Sequence, residues 1–496
     1  MRNKEKYILI FLLLIILVSR LYHINVPPLE IEESWRQADT ESMARNFVEY
    51  DFNPLRPNLN YDGPLPNIPA LEIQVTTFVI AILYKLFGHH YFLARMVPII
   101  FFLISCVYLY LLARKYLNIR GALLSLVVYG FLPLNLYYSR AIMPEAGALM
   151  FWIGGIYYFE LWAETRYLTI NSANKPAVKP TIKSAIKPLI ISMVLFSLAL
   201  MTKPPVVFGA IFLLYICFRY FGRQWPARPE VWIYAAVTLG LALAYYVYSA
   251  SLAEYKFSLG ITRDIILRKA LTAFYTPESQ MFFLKNGPRA WGIIGLLLTL
   301  AGVFTVRKNQ IGLLVWLGAM LLELLLIVAP IRATYYLIFA LVPCALLIGN
   351  FLDRLLALPG GKVISLALAF LFMLESFAYV KPMYTINETM AVQKKLVEEL
   401  TAPSDLLVVG SFDPCLLSLS GRRGWRYNLG MYSFIPQDPY QELAYYIEQG
   451  AKYFVPIQGK VYGDDKRELI RYIEQNYPKI ETVQGYPIYV LKGINK

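Results

Sequence analysis

Charged residues are scarce in this sequence of 496 residues, since Asp, Glu, Lys and Arg make up only 16% of it. Soluble globular proteins average about 25% charged residues, and 57% of this chain is hydrophobic, so an ordinary soluble protein is excluded. Cysteine and histidine are scarce as well, with four and three residues, and they show neither a disulfide framework nor the spacing of a zinc site. No phosphate-binding loop of the G-x-x-x-x-G-K-[ST] type is present, which argues against a soluble nucleotide-sugar enzyme.

Long apolar runs are what the sequence has in abundance. Runs such as 7–19 and 97–113 contain no charged residue, and about 20 apolar residues span a membrane as a helix. Placing basic segments such as Arg114-Lys115 on the cytoplasmic side gives about eleven spanning helices, with the N-terminus inside and the C-terminus outside. Residues 73–87 fit this order only as a juxtamembrane helix on the outer surface. The predicted fold class is an all-α polytopic membrane protein with a small C-terminal α/β domain.

The sequence divides into two predicted domains. Residues 1–380 carry the apolar runs, interrupted by two large outer segments at 25–91 and 251–290. In residues 381–496 charges become dense, and helical patterns alternate with short strand-like runs, which predicts an extracytoplasmic α/β domain. The net charge of +14 comes mainly from the proposed cytoplasmic segments, where it sets orientation and does not indicate a nucleic-acid partner.

The outer segment 25–72 is the most informative part of the sequence. It contains nine acidic and three basic residues in a chain that is basic overall. A helix through this segment places Arg36, Asp39 and Met43 on one side, because they follow the three- and four-residue spacing of a helix face. Carboxylates, an arginine and Trp35 would then share a surface that can deprotonate a hydroxyl and stack on a sugar. A solvated acidic loop is the simpler interpretation for most of these carboxylates.

Several cations lie in short outer turns between apolar runs. They are Arg140, followed by Glu145; Lys203; and Arg332, followed by Tyr335 and Tyr336. Each cation alone is explained by a side chain reaching toward lipid headgroups, but several cations and a carboxylate on the side of an acidic loop are typical of a functional site. The acids suit a general base and the cations suit a phosphate leaving group. Together they predict displacement at a sugar linked to a lipid phosphate.

These segments resemble the GT-C membrane glycosyltransferases, in particular the family 39 dolichyl-phosphate-mannose protein mannosyltransferases and the related bacterial lipid A aminoarabinose transferases. Each motif is short, but they occur in family order across roughly residues 1–380. The matching segments are Trp35-Arg-Gln-Ala-Asp-Thr40, Ala44-Arg-Asn-Phe47, Pro69-Ala-Leu-Glu72, Leu93-Ala-Arg95, Ser139-Arg140, Pro144-Glu145, Thr202-Lys203-Pro204, and Arg332 with Tyr335-Tyr336.

The resemblance implies an inverting transfer from a polyprenyl-phosphate sugar, with an outer-loop carboxylate as base. Many relatives carry an adjacent Asp-Glu pair after the first helix, whereas this chain has Glu32-Glu33 followed by Asp39. We predict Asp39 as the base and Glu33 as the alternative, with Glu145 as a second acidic group. Lys203 and Arg332 would bind the donor phosphate. The other predicted substrate contacts are Arg36, Arg140, Trp35, Glu72, Tyr335 and Tyr336.

The expected partners are a polyprenyl-phosphate sugar donor, a lipid, glycan or protein acceptor, and membrane lipids, in the cytoplasmic membrane of a bacterium. No cofactor is assigned, although carboxylates of this kind can hold Mg²⁺ or Mn²⁺, so a divalent cation stays open. Two alternatives also stay open. One is a transporter or flippase of lipid-linked sugar, and the other is a GT-C glycan ligase or polymerase that uses a lipid pyrophosphate.

Overall fold

A computed structural model of the protein describes residues 3–171, 182–253, 261–427, 435–482 and 484–492. Residues 254–260 of the predicted second outer segment therefore lie outside the described chain. The α-helices of six or more residues are α1 (Asn3–Val18), α2 (Ser34–Glu49), α3 (Val75–Phe87), α4 (Tyr91–Ala113), α5 (Ile119–Phe131), α6 (Pro133–Tyr138), α7 (Glu145–Asn171), α8 (Ile182–Thr202), α9 (Gly209–Phe221), α10 (Pro229–Leu252), α11 (Pro277–Trp291), α12 (Ile293–Phe304), α13 (Ile311–Glu323), α14 (Leu337–Leu355), α15 (Gly361–Val380), α16 (Glu388–Leu400), α17 (Cys415–Ser420), α18 (Pro439–Glu448) and α19 (Glu468–Asn476).

Seven helical segments of the described chain are long and apolar enough to cross a membrane, and α11 with α12 forms an eighth if that bent pair counts as one span. The predicted count of eleven is not confirmed. The other three predicted spans correspond to α1, to α5 with α6, and to α7. Helix α1 has 16 residues, or about 24 Å, and the Leu132-Pro133 step separates α5 from α6. Helix α3 has 13 residues, which is too short for a hydrocarbon core of about 30 Å.

Small residues bring helices of the bundle into close contact. A Cβ atom on Gly349 of α14 would lie 2.1 Å from the Ser125 hydroxyl and 2.8 Å from the Gly121 carbonyl oxygen of α5. Such small-residue contacts let helix backbones approach each other in membranes, where dispersion rather than water exclusion drives association. At this contact α5 and α14 therefore lie with their backbones close together.

A five-stranded sheet forms the core of the C-terminal region. Its strands are β1 (Leu406–Val409), β2 (Arg423–Arg426), β3 (Ala451–Val455), β4 (Lys479–Ile480) and β5 (Ile488–Val490). The strand order is β2-β1-β3-β5-β4. β1 pairs in parallel with β2 and β3, while β5 pairs antiparallel with β3 and β4. The predicted combination of a helical membrane part with a small C-terminal α/β part is confirmed.

The two faces of β1 pack against different parts of the chain, because successive strand side chains point to opposite faces. Leu407 and Val409 join an apolar cluster with Ala38 and Met43 of α2, whereas Val408 packs with residues of α18 and α19. The first outer segment also pairs directly with β2, through a bridge between Gly63 and Gly424. The sheet therefore covers the start of α2. The domain boundary between residues 380 and 381 stays a prediction.

Candidate active site

The buried cation Lys203 is the centre of a charged cluster beside α2. The chain leaves α8 at Thr202, and the two prolines that follow Lys203 cannot continue the helix. Lys203 is 2% exposed. Its Nζ lies 2.5 Å from Oε1 of Glu145, the first residue of α7, and 4.0 Å from Oε1 of Glu72. Oε2 of Glu145 has no hydrogen-bond partner among the described residues. A charged pair at this depth must be well matched to be tolerated.

Arg36 and two tyrosines complete this cluster. The Arg36 guanidinium donates to Glu72, and the Lys203 ammonium lies 4.9 and 5.3 Å from the ring centroids of Tyr335 and Tyr336. Burial raises the pKa of Glu72, but the charges of Arg36 and Lys203 outweigh burial and hold that pKa below its usual value. Five predicted site residues (Glu72, Arg36, Lys203, Tyr335 and Tyr336) therefore meet around Glu145. We call these six residues the Lys203 cluster.

Glu33 lies at the edge of the Lys203 cluster. Its Oε1 accepts a hydrogen bond from the Thr334 hydroxyl (3.2 Å), and Thr334 directly precedes Tyr335. Burial, and then the neighbouring charge of Glu32, raises the pKa of Glu33 to about 7. Its backbone is left-handed, with φ at 53°, a strained conformation for a residue other than glycine. The turn before α2 thus holds a half-buried carboxylate next to the cations.

Glu32 is fixed by its own partners. Its Oε2 accepts from Arg289 of α11 (2.6 Å), and its Oε1 accepts from the Tyr138 hydroxyl (3.1 Å). Sequence reasoning missed Arg289, Tyr138 and Thr334 as neighbours of this site. No spacing signal could have found them, because Arg289 and Thr334 lie 257 and 302 residues from Glu32 along the chain.

Asp39, the first choice for the base, lies within electrostatic range of Arg36 but forms no ion pair with the Lys203 cluster among the described residues. It is 6% exposed, and its oxygens accept from the hydroxyls of Tyr61 (3.1 Å) and Ser418 (3.2 Å). Burial raises its pKa to about 7, against the opposing effect of the Tyr61 hydrogen bond. Trp35 also faces the C-terminal region, where its ring contacts Phe412 edge-on at 5.7 Å. The base role of Asp39 stays a prediction.

Two predicted phosphate ligands are not brought to the Lys203 cluster. Arg140 is fully buried and pairs with Glu30 (2.9 Å), which also pairs with Arg95 (3.4 Å). This group fastens α4 and the turn after α6 to the first outer segment. Arg332 is exposed, and it forms no ion pair within the part of the chain that the structure describes. Its backbone is left-handed, with φ at 58°, at the turn that precedes Tyr335.

A further carboxylate that the sequence analysis did not single out lies beneath the cluster. Glu323 ends α13, is fully buried, and has no hydrogen-bond partner among the described residues. It lies within electrostatic range of Tyr336, and the helix changes to a π-helical turn directly after it. Such turns are frequent at functional sites.

The described residues offer no evident metal site. No group of three His, Cys, Asp or Glu side chains among them lies close enough to hold a metal ion. The carboxylates of the Lys203 cluster are instead neutralised by Arg36 and Lys203.

Comparison with solved structures identifies the fold. ArnT from Cupriavidus metallidurans, bound to undecaprenyl phosphate, is 12% identical and matches with a TM-score of 0.64 over 98% of each chain. The Archaeoglobus fulgidus oligosaccharyltransferase, tethered to an acceptor peptide, is 14% identical and matches with a TM-score of 0.60 over 99% of this chain and 74% of its own. The chain has the GT-C fold.

The GT-C resemblance predicted from the sequence is thereby confirmed, and the chain is an integral membrane protein. A second Archaeoglobus fulgidus structure, of AglB with an inhibitory peptide and dolichol phosphate, has a TM-score of 0.56 at 13% identity and covers 99% of this chain and 75% of its own. A family model described as dolichyl-phosphate-mannose-protein mannosyltransferase matches residues 74–171. No curated protein sequence matches the chain. The matched residues of this GT-C chain include Arg140 and Glu145.

Proposed function

We propose that the protein is a membrane glycosyltransferase that moves a sugar from a polyprenyl-phosphate donor to a lipid, glycan or protein acceptor. The observation that carries the proposal is the placement of Glu33 beside the Lys203 cluster. A carboxylate with a pKa of about 7 suits a general base at neutral pH, and two cations suit a phosphate leaving group. The undecaprenyl phosphate bound to ArnT and the dolichol phosphate bound to AglB support this class of donor.

The proposed reaction is a single displacement at the anomeric carbon. The acceptor oxygen forms a bond to this carbon while the bond to the phosphate oxygen breaks, and the bonding electron pair leaves with the phosphate. The acceptor proton moves to Glu33. Lys203 and Arg36 stabilise the phosphate as its negative charge grows, since charge stabilisation prepared in advance is a large term in catalysis. One displacement from the opposite side inverts the anomeric configuration.

The geometry favours Glu33 over Asp39 as the base. Both carboxylate oxygens of Asp39 accept hydrogen bonds from hydroxyl groups, and the residue is 6% exposed. In Glu33, by contrast, the Thr334 hydroxyl donates to Oε1. We propose that Asp39 instead helps to hold α2 against α17. The proposed setting is the outer face of a bacterial cytoplasmic membrane, with the acidic segment and the sheet outside.

The test uses the purified full chain in lipid nanodiscs with undecaprenyl-phosphate mannose or undecaprenyl-phosphate aminoarabinose. Release of free undecaprenyl phosphate is measured in the presence of lipid, glycan and peptide acceptors. Glu33→Gln should lower the rate by about 10²-fold or more, the usual contribution of a general base. Asp39→Asn is the matched carboxylate control and should retain most of the rate.

Two outcomes would contradict the proposal in different ways. If Glu33→Gln keeps full activity while Asp39→Asn abolishes it, Asp39 is the base and the site lies closer to the sheet. If the intact donor is never cleaved with any acceptor, and crosses the bilayer when the protein is placed in sealed proteoliposomes, the protein is a flippase. A lipid-pyrophosphate donor that is consumed in place of the monophosphate would indicate the ligase or polymerase alternative.

A further inference from the structure

A cavity of about 420 Å³ lies in the C-terminal region, beyond the carboxyl ends of β1 and β2. The Tyr427 N–H donates to the Val409 carbonyl (2.8 Å), and the Tyr462 N–H donates to the Gly410 carbonyl (2.9 Å). Both tyrosines line the cavity and are thus fixed directly after these strand ends. In open α/β sheets this edge is where ligands bind. The cavity is separate from the Lys203 cluster and has no role in the displacement.

Tyr427 provides an unsatisfied polar group in this cavity. The side chain is 1% exposed, and its hydroxyl has no hydrogen-bond partner among the residues that the structure describes. Leaving a buried polar group unpaired costs about 1–3 kcal/mol. The hydroxyl is closed off from solvent, so it pairs with a ligand hydroxyl only when its ring turns toward the cavity.

The charges of the lining exclude an anionic ligand. The ionisable lining residues, apart from tyrosine, are one lysine and four carboxylates: Lys466, and Asp438, Asp464, Asp465 and Glu468. The N-termini of α18 and α19 would attract an anion, but carboxylates already occupy both. Asp438 accepts from the Tyr440 N–H (3.0 Å), and Asp464 accepts from the Glu468 N–H (2.8 Å). Phosphate or an acidic sugar would therefore be repelled.

The remaining chemistry of the lining suits a neutral carbohydrate. Tyr440 and Tyr462 are 41% and 51% exposed, so each has surface that a sugar ring can contact. Asp465 and Glu468 can accept hydrogen bonds from sugar hydroxyls. A few convergent polar groups around aromatic walls are typical of a small-molecule site.

A row of aromatic rings leads from this cavity to the start of α2. Tyr462 lies 5.4 Å from Phe412, and Phe412 lies 5.7 Å from Trp35, measured between ring centroids. Trp35 directly precedes Arg36 of the Lys203 cluster and is two residues after Glu33. The row thus ends at Trp35, near the start of α2, where the ring faces the C-terminal region and the chain is two residues from the proposed base.

We propose that the cavity and the aromatic row bind a neutral oligosaccharide, which is the distal part of a glycan acceptor whose near end reaches Glu33. The acceptor role rests on the proposed function, whereas binding of the oligosaccharide does not. An oligosaccharide rather than a single sugar is required, because the rings of Tyr462, Phe412 and Trp35 lie between the cavity and the turn that carries Glu33.

The test measures binding of mannohexaose, maltohexaose and cellohexaose to the full chain by saturation-transfer NMR and titration. Nanodiscs prepared without maltoside detergents are needed, since a sugar headgroup would compete. At least one hexaose should bind at about 1 mM or below. Tyr462→Ala should weaken binding roughly tenfold, or about 1.4 kcal/mol. Tyr275→Ala is the matched control, because Tyr275 is 77% exposed and lies outside the cavity lining.

Tyr427→Phe separates loss of binding from loss of folding. It removes an unpaired buried hydroxyl, so the fold should be at least as stable, while hexaose binding should weaken several-fold. The inference is overturned if no hexaose binds, if both tyrosine variants bind as the parent does, or if hexalysine binds in place of the sugars. Hexaose binding without donor turnover would refute the proposed function alone. If Tyr462→Ala and Tyr427→Phe both turn over the donor with a glycan acceptor at the rate of the parent, this inference alone is refuted.

Discussion

At the scale of single residues, Lys203 shows how a cation in an outer turn differs from a lipid-facing one. Its ammonium is buried between Glu145 and Glu72 and faces two tyrosine rings. Removing water from a lysine and a carboxylate is costly, and only a close match offsets that cost. Removing one partner leaves the other charge buried and unpaired.

We therefore expect Lys203→Met to lower the free energy of unfolding by about 3–5 kcal/mol, and Glu145→Gln to do the same. The double variant should be more stable than the sum of the single losses implies, because neither charge is then left alone. Denaturant unfolding in mild detergent measures this. Lys115→Met, which breaks a partly exposed pair with Glu164, should cost about 1 kcal/mol or less. Additive losses would show that the two side chains do not interact.

The titration of Glu33 predicts how transfer depends on pH. A base must be deprotonated to accept a proton, and the pKa of Glu33 is raised to about 7. The value of kcat/KM should therefore rise about tenfold for each pH unit below about 7 and level off above it. Asp39→Asn should leave this profile in place. A profile that is flat across this range would mean that another group accepts the proton.

Asp39 predicts a pH effect on stability instead of activity. Its pKa is raised from 3.8 to about 7 in the folded protein by burial, so the folded state favours the protonated form. The free energy of unfolding should therefore be highest below pH about 4. It should fall by up to about 4 kcal/mol as pH rises from about 4 to about 7. Asp39→Asn should remove this slope, so the variant should gain stability relative to the parent at pH 8. Thermal unfolding across pH checks this, and equal slopes would contradict it.

How far the sequence predicts the site depends on the distance between partners along the chain. Arg36, Glu72, Glu145 and Lys203 were predicted, and the structure brings them together. The surroundings of Asp39 could not be predicted, because its partner Ser418 lies 379 residues away and belongs to the C-terminal region. The pairing of Arg140 with Glu30 was missed for the same reason, since the contact depends on how the outer segment packs on the bundle.

At the scale of elements, periodicity and length predict most helices but not their bends. The second outer segment is predicted to end at residue 290, but the prediction gives no angle there, and in the structure α11 and α12 meet at 86°. Gly292 between them has φ at 71°, and the carboxylate of Glu375 accepts from the N–H groups of Ile293 and Ile294 (2.7 and 2.9 Å). A cap supplied 81 or 82 residues later leaves no signal in the local sequence.

The contact between α5 and α14 gives a prediction about packing. In Gly349→Ala the new methyl group would meet Ser125 and the Gly121 carbonyl, both of which are fixed by the helices. The helices must then separate, so we expect a loss of about 1–3 kcal/mol. Gly318→Ala is the matched control, because nothing lies within 4 Å of its added carbon and alanine favours helices by about 1 kcal/mol. Unfolding in detergent compares the two, and equal stability would contradict the close contact.

At the scale of the whole molecule, orientation is the property that the charge distribution predicts. The basic turns lie on one proposed side, and the acidic segment and the sheet lie on the other. The sheet packs against α2, so the candidate active site and the C-terminal region share a side of the membrane. That side is the outer one in our proposal.

Cysteine labelling tests this orientation. All four native cysteines are buried in the folded chain, so one added cysteine on the surface can be read separately. Lys395→Cys, at an exposed position of α16, should react with a membrane-impermeant maleimide in intact cells. Arg223→Cys, also at an exposed position, should react only after the cells are permeabilised. The reverse pattern would place the candidate active site in the cytoplasm.

The Lys203 cluster also has a consequence for proton stoichiometry. Arg36 and Lys203 form ion pairs with Glu72 and Glu145. The cluster therefore has no net charge before the donor binds. A phosphate that enters adds negative charge to a region of low polarity, which is unfavourable unless a carboxylate is neutralised. Association of the donor should therefore take up a proton from solution. The heat of association would then change with the ionisation enthalpy of the buffer.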